Sequence, residues 1–191
     1  MYRLVITSVF VFLLLSRPCL AGNVIAQVMP GKNKTMEVVF FDGDQEVARW
    51  HYDKDGQIVK KTGSVPDGNV DTYSNGILMS RARFKDGQLN GTSRDYYTNG
   101  NLRTVARYKD GQLNGKLTVY YDGGGRHFIT HYRDGVPTEV IQVYWMNGKL
   151  KTRGHFEEGK IKLIERFDQK GKLVKKQVIP EGKALGPMET P

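Results

Sequence analysis

The sequence predicts an all-β protein, an elongated twisted antiparallel meander sheet built of 24-residue β-hairpin repeats with irregular capping repeats at its ends. Three observations predict it. The phrase FKDGQLNG at 84–91 returns as YKDGQLNG at 108–115, and self-similarity at a fixed period marks a repeat architecture. Two interleaved glycine ladders, Gly76, Gly100, Gly124, Gly148 and Gly87, Gly111, Gly135, Gly159, keep the same 24-residue step. Most of these glycines follow Asn or Asp, the pairs that accept the positive φ angles of tight hairpin turns. Between the reversals lie runs such as NLRTVARYK (101–109) and KLTVYYD (116–122), rich in β-branched and aromatic residues and free of proline, as strands require.

Taken in chain order, residues 1–21 read as a signal peptide. Arg3 supplies the positive start, Leu4 to Leu15 an apolar stretch, and Cys19-Leu20-Ala21 a small-residue end. Cleavage near Ala21-Gly22 would export the chain to the periplasm or the extracellular space. The alternative is an uncleaved membrane anchor, for which this twelve-residue stretch falls short of the roughly 20 that span a bilayer. Cys19 is the only cysteine, so the exported chain would have no disulfide and would depend on sheet packing. Residues 22–35 are expected to be loose.

Residues 36–176 form the expected repeat domain. Within it 36–61 is an irregular first repeat, with Trp50 and Tyr52 in aromatic places, the clear repeats span about 71–166, and 160–176 is a shortened last one. Terminal units of an array must be atypical, because their outer edges offer open backbone to other chains. Lys170, Lys172, Lys175 and Lys176 suit a charged edge. Residues 177–191 lack an apolar period and are expected to be a disordered tail.

Side chains at even spacing share one face of a strand. Counted from each first-ladder glycine, the sixth position is Ala82, Ala106, Thr130, Gly154 and the eighth is Phe84, Tyr108, Tyr132, Phe156. With the second position, Leu78, Leu102, Arg126, Leu150, these make the expected packed face. The seventh position points the other way and reads Arg83, Arg107, His131, His155. This column is the candidate binding site, a basic stripe at a pitch of about 10 Å. Without Arg3 and Arg17 the chain keeps 27 Lys+Arg against 20 Asp+Glu, a net +7, which favours acidic partners.

The sequence holds no spacing that compels a nucleophile, base and charge stabiliser into one cluster. His131 and His155 lie about 10 Å apart by strand count, too far to share one metal without a third ligand. Gly123-Gly124-Gly125 has no Gly-Lys-Ser/Thr after it and reads as a turn that has lost its Asn, not as a phosphate loop. The Asp-Gly steps lack the clustered spacing of a calcium loop. No metal, no cofactor and no catalytic residue are expected. Tyrosines interleaved with arginines could stack bases, but their strictly repeated places favour packing, so nucleic acid is a disfavoured partner.

The pattern Tyr-Lys-Asp-Gly-x-Leu-Asn-Gly at 108–115, followed by Tyr120-Tyr121, resembles the MORN-repeat variant of a bacterial family of proteins labelled as antitoxins of toxin-antitoxin systems. The stretch TGSVPDGNVDTYSNG (62–76) is similar to that family's entry into its array. The resemblance covers about 36–176 and implies a β-repeat and, through the family's label, a toxin-neutralising role. The expected function is that of an exported, non-enzymatic scaffold presenting a sheet face to a protein or an anionic envelope component. The alternatives are an immunity or antitoxin-like protein, or an adaptor to anionic lipid or glycan.

Overall fold

The computed structural model describes residues 23–31 and 34–180, so the signal-peptide reading and residues 181–191 lie outside it. The described chain is almost wholly β: β1 (Asn23–Pro30), β2 (Met36–Asp42), β3 (Gln45–Tyr52), β4 (Ile58–Gly63), β5 (Gly68–Ser74), β6 (Ile77–Lys85), β7 (Gln88–Tyr96), β8 (Leu102–Lys109), β9 (Gln112–Leu113), β10 (Gly115–Tyr120), β11 (Arg126–Arg133), β12 (Val136–Tyr144), β13 (Leu150–Glu157), β14 (Lys160–Phe167) and β15 (Leu173–Val178). They form one fifteen-stranded sheet. Its order is β15-β14-β13-β12-β11-β10-β8-β7-β6-β5-β1-β2-β3-β4, with the short β9 paired to β8.

The two glycine ladders make two kinds of turn. Asp86-Gly87, Asp110-Gly111, Asp134-Gly135 and Glu158-Gly159 are two-residue loops with both φ angles positive, the geometry that matches strand twist. Asn75-Gly76 is of this kind too, although it opens the other ladder. At Gly100, Gly124 and Gly148 only the glycine is positive, and its amide donates to the residue three earlier, as Gly100 does to Tyr97 at 2.9 Å. This wider turn inserts one extra residue. The register steps from Asp95↔Thr104 to Tyr96↔Leu102, so the expected even-spacing rule does not carry from Leu102 to Ala106. The second-position column is therefore not tied to the face of the sixth and eighth, a correction forced by the bulge.

From β5 onward the strands pair with neighbours in sequence, as a meander should. The exception lies at the start. Residues 23–30 are not loose: β1 stands between β5, to which it runs parallel, and β2, to which it runs antiparallel. Val24 and Ala26 are buried there at 4% and 0% exposure. The alternation of Val24, Ala26 and Val28 could have been read as a strand, but no turn signal announces a parallel partner more than forty residues away. At the other end β15 reaches Val178, and buried Ile179 donates its amide to Lys162 O, so order persists past the expected start of the tail.

Placing β1 there forces the chain to cross. After edge strand β4, residues 64–67 pass over one face of the sheet to reach β5. Ser64 N bonds Val47 O at 3.1 Å, and Asp67 Oδ1 accepts the Asp86 amide at 2.7 Å. Between these anchors Val65 drops into the main core with Val24, Ala26, Phe40, Ala48, Val70, Ala82 and Phe84. Phe84 meets Phe40 and Trp50 edge to face, with centroids 6.2 and 6.0 Å apart, and Phe40 lies tilted on Trp50 at 4.9 Å. Burying such rings is worth about 1.5–3 kcal/mol each. A smaller cluster of Ile161, Ile164 and Ile179 against Phe156 closes the far end.

Candidate binding face

Directly opposed residues on paired strands project to the same face, so the registers define rows across the sheet. One row runs Asp71, Arg81, Arg94, Val105, Thr118, Ile129, Gln142, Arg153, Glu165, Lys176 from β5 to β15. The seventh-position column lies on this face, one step along the strands. Arg83 pairs with Asn69, Arg107 with Thr92, His131 with Lys116 and Thr138, and His155 with Val140. The opposite face carries the buried sixth position, with Ala82, Ala106 and Thr130 at 6%, 3% and 1% exposure.

The four stripe residues do not share one environment. Arg83 and Arg107 are exposed, and among the described residues neither has a carboxylate within salt-bridge distance. Each lies over a glycine: a Cβ on Gly91 would sit 3.2 Å from Arg83 Cδ, and one on Gly115 3.1 Å from Arg107 Cδ. The Leu-Asn-Gly end of the repeated phrase thus clears space for the arginine of the neighbouring strand. His131 is half-buried. His155 is compensated, with Nε2 3.3 Å from Glu165 Oε2, a carboxylate that also draws Arg153 at 3.5 Å and Lys176 at 3.9 Å. The His155 hydrogen bond, backed by Lys176 and Arg153, holds the Glu165 carboxyl below the usual carboxylate range.

The structure adds cations that column counting missed. Arg94 and Lys116 are exposed on the same face, and Arg94 stands directly opposite Arg81. Like charges so placed repel, and the carboxylate that relieves them is Asp71. Arg81 Nε and Nη2 both bond it at 2.7 Å, a bidentate pair with charge-assisted strength. Asp71 is thereby committed, which leaves Arg83, Arg94, Arg107 and Lys116, with Lys85 and Lys109 beside the turns, as free positive groups on this face between β6 and β10. Arg94 and Lys116 sit on the returning strand of each hairpin, and alternate-residue counting carried across the Asp-Gly turns would have found them, because the irregularities there shift register by two and keep the face.

The second aromatic column proves to be jointing. Tyr97 Oη donates to Tyr120 O at 2.7 Å, Tyr121 Oη to Tyr144 O at 2.6 Å and Trp145 Nε1 to Phe167 O at 3.2 Å. Each ring ties its turn to the next repeat. His127 stacks on Tyr121 at 4.2 Å, where burial and then Lys151 push its imidazole down, and Lys151 Nζ lies 4.8 Å over Trp145. On the packed face, burial pushes the Asp95 carboxyl up against the pull of Arg103. Among the described residues no group of three or more His, Cys, Asp and Glu could hold a metal ion, and no helix is long and apolar enough to cross a membrane.

Residues 89–110, from β7 through the wide turn to the end of β8, match the family model described as MORN repeat variant. No curated protein matches the chain. Among solved structures, the chain is similar to part of the Glycosylation Associate Protein (Gap123) complex from Streptococcus agalactiae, with 22% identity over 56% of this chain and 20% of that chain and a TM-score of 0.34. It therefore spans about a fifth of the length of that protein.

Proposed function

We propose that the protein is an exported, non-enzymatic β-repeat scaffold that binds an anionic macromolecule of the cell envelope through the face carrying Arg83, Arg94, Arg107 and Lys116. The observation that supports this most is the imbalance of charge on that face. Its carboxylates are engaged, Asp71 by Arg81 and Glu165 by His155 and Arg153, while Arg83, Arg94, Arg107 and Lys116 stand exposed without one. Arg83 and Arg107 lie two strands apart, about 10 Å, on a rigid sheet, so little ordering is lost when an extended polyanion settles across the strands. The match to a MORN-variant repeat agrees with a scaffold role. The aromatic joints are already engaged with backbone, which directs binding to the cations.

The test is binding to a linear acidic polysaccharide and to vesicles of anionic phospholipid, at about 10 mM and about 0.15 M salt, where the Debye length falls from about 30 to about 8 Å. Affinity should fall with salt. The pair Arg83→Ala with Arg107→Ala should weaken it by about tenfold, roughly 1.4 kcal/mol, whereas Lys172→Ala should change it little. Binding indifferent to salt and to the double arginine variant would reject this face. Capture of a single acidic protein, with no affinity for glycan or lipid, would favour the immunity reading instead.

A further inference from the structure

Both outer edges of the sheet carry the same pattern. Asp53-Lys-Asp-Gly-Gln-Ile-Val-Lys-Lys leads into and forms β4, and Asp168-Gln-Lys-Gly-Lys-Leu-Val-Lys-Lys leads into and forms β15. These are the two terminal strands of the order, separated by thirteen positions of sheet. The likeness extends to atoms. Asp53 Oδ1 accepts the amides of Asp55 and Gln57 at 2.9 and 2.8 Å, and Asp168 Oδ1 accepts those of Lys170 and Lys172 at 2.9 Å each. Backbone bonds Asp53 N to Gln57 O and Asp168 N to Lys172 O close both turns alike.

Interior turns of the same shape behave differently. Their first residue is Tyr97, Tyr121 or Trp145, and it reaches forward to the next repeat. Their third residue reaches forward too, Asn99 Nδ2 to Asp122 Oδ1 at 2.6 Å and Asn147 Nδ2 to Gln169 O at 3.0 Å. So does the fifth, Asn101 Nδ2 to Asp122 O and Lys149 Nζ to Lys170 O. In the two terminal turns the aromatic is replaced by an aspartate that bonds only its own loop. The turn closes on itself where there is no further hairpin to join.

The strands that follow are charged. All six residues of β4 and all six of β15 are exposed, among them Val59, Val174 and Val178 at 64%, 60% and 71%. Open backbone beside exposed valine is a template for another strand. Against it stand Lys60 and Lys61 on one edge and Lys175 and Lys176 on the other. We propose that Asp-x-x-Gly-x-(Ile/Leu)-Val-Lys-Lys is an end-cap device that prevents a second copy of this chain from adding edge to edge. Joining β4 of one copy to β15 of the next would bring two lysine pairs together across a single ladder, and like charges directly opposed destabilise such a pair. Without that repulsion the contact would be head to tail and non-closing, and copies would grow into open filaments.

The test measures mass by light scattering as protein concentration and salt are varied. The natural protein should be monomeric at about 0.15 M salt and begin to associate at about 1 M, where screening shortens the Debye length to about 3 Å. Lys60→Glu with Lys61→Glu makes the β4 edge complementary to the β15 edge. This variant should form concentration-dependent head-to-tail species at low salt that disperse at about 1 M, the reverse of the natural protein. Lys175→Glu, which leaves the Lys176–Glu165 contact intact, should associate likewise from the other edge. Circular dichroism establishes that each variant is folded. Folded charge-reversal variants that stay monomeric at low salt would overturn the proposal, and so would a natural protein already joined through its edges there.

Discussion

Glu139 holds φ at +62°, whereas the matching positions one and two repeats earlier are Gly115 at +124° and Gly91 at +119°. All three fall where β11–β12 and its predecessors step register beside the stripe residue. A side chain in this region costs roughly 1–2 kcal/mol, and glycine returns part of that gain to the entropy of the unfolded chain. Glu139→Gly should therefore stabilise the protein by about 0.5–1 kcal/mol, raising Tm by about 1–4 °C. Thermal melts followed by circular dichroism decide it. A fall in Tm would mean that the Glu139 side chain contributes contacts worth more than its backbone strain.

At the scale of the element, the repeated phrase is a complete hairpin joint. Phe84 or Tyr108 belongs to the packed face, and Asp-Gly makes the two-residue turn. The Leu carbonyl accepts the next turn's amide, Gly111 N to Leu89 O and Gly135 N to Leu113 O at 2.9 Å each. The Asn bonds the next turn's aspartate, Asn90 to Asp110 at 3.0 Å and Asn114 to Asp134 at 2.7 Å, and the last Gly admits the arginine. Gly111 shows why this joint resists change. Its φ is +78°, and a Cβ there would meet Gln88 Oε1 at 3.3 Å. Gly111→Val should cost on the order of 1 kcal/mol or more, lowering Tm by at least about 2–4 °C. Lys109→Ala, at an exposed neighbour, should stay within about 0.5 kcal/mol of the natural protein. Equal melting temperatures for the two variants would contradict this reading of the turn.

At the scale of the whole molecule, the crossing segment decides stability. Beside β1, which hydrogen-bonds to both β5 and β2, it is the contact that ties β2–β4 to β5–β15 over the core. Val65 fixes the crossing over the core at 2% exposure, whereas Val174 on the edge is 60% exposed. Val65→Ala should cost about 2 kcal/mol, a fall in Tm of about 4–8 °C, and Val174→Ala almost nothing. Melting curves that move equally for both would place the segment outside the core. The same architecture leaves two edges open, which is why a chain with such strong internal joints needs distinct ends.

The repeat period, the eight ladder glycines and the alternation of Arg83 and Arg107 against Ala82, Phe84, Ala106 and Tyr108 were legible in the sequence. Each depends on one residue's φ preference or on a period of two within one strand, and such local physics is written where it acts. The division of the ladders into two turn types was only partly legible, because Asn-Gly supports both. Tertiary structure alone placed β1 between β5 and β2, made β4 an edge, and sank Val65 into the core. It also separated the free Arg83 and Arg107 from the compensated His155. These outcomes depend on a parallel pairing with no turn to announce it, and on bulges that reset register between strands. Their energy lies in contacts between residues far apart in the chain, which no local pattern encodes.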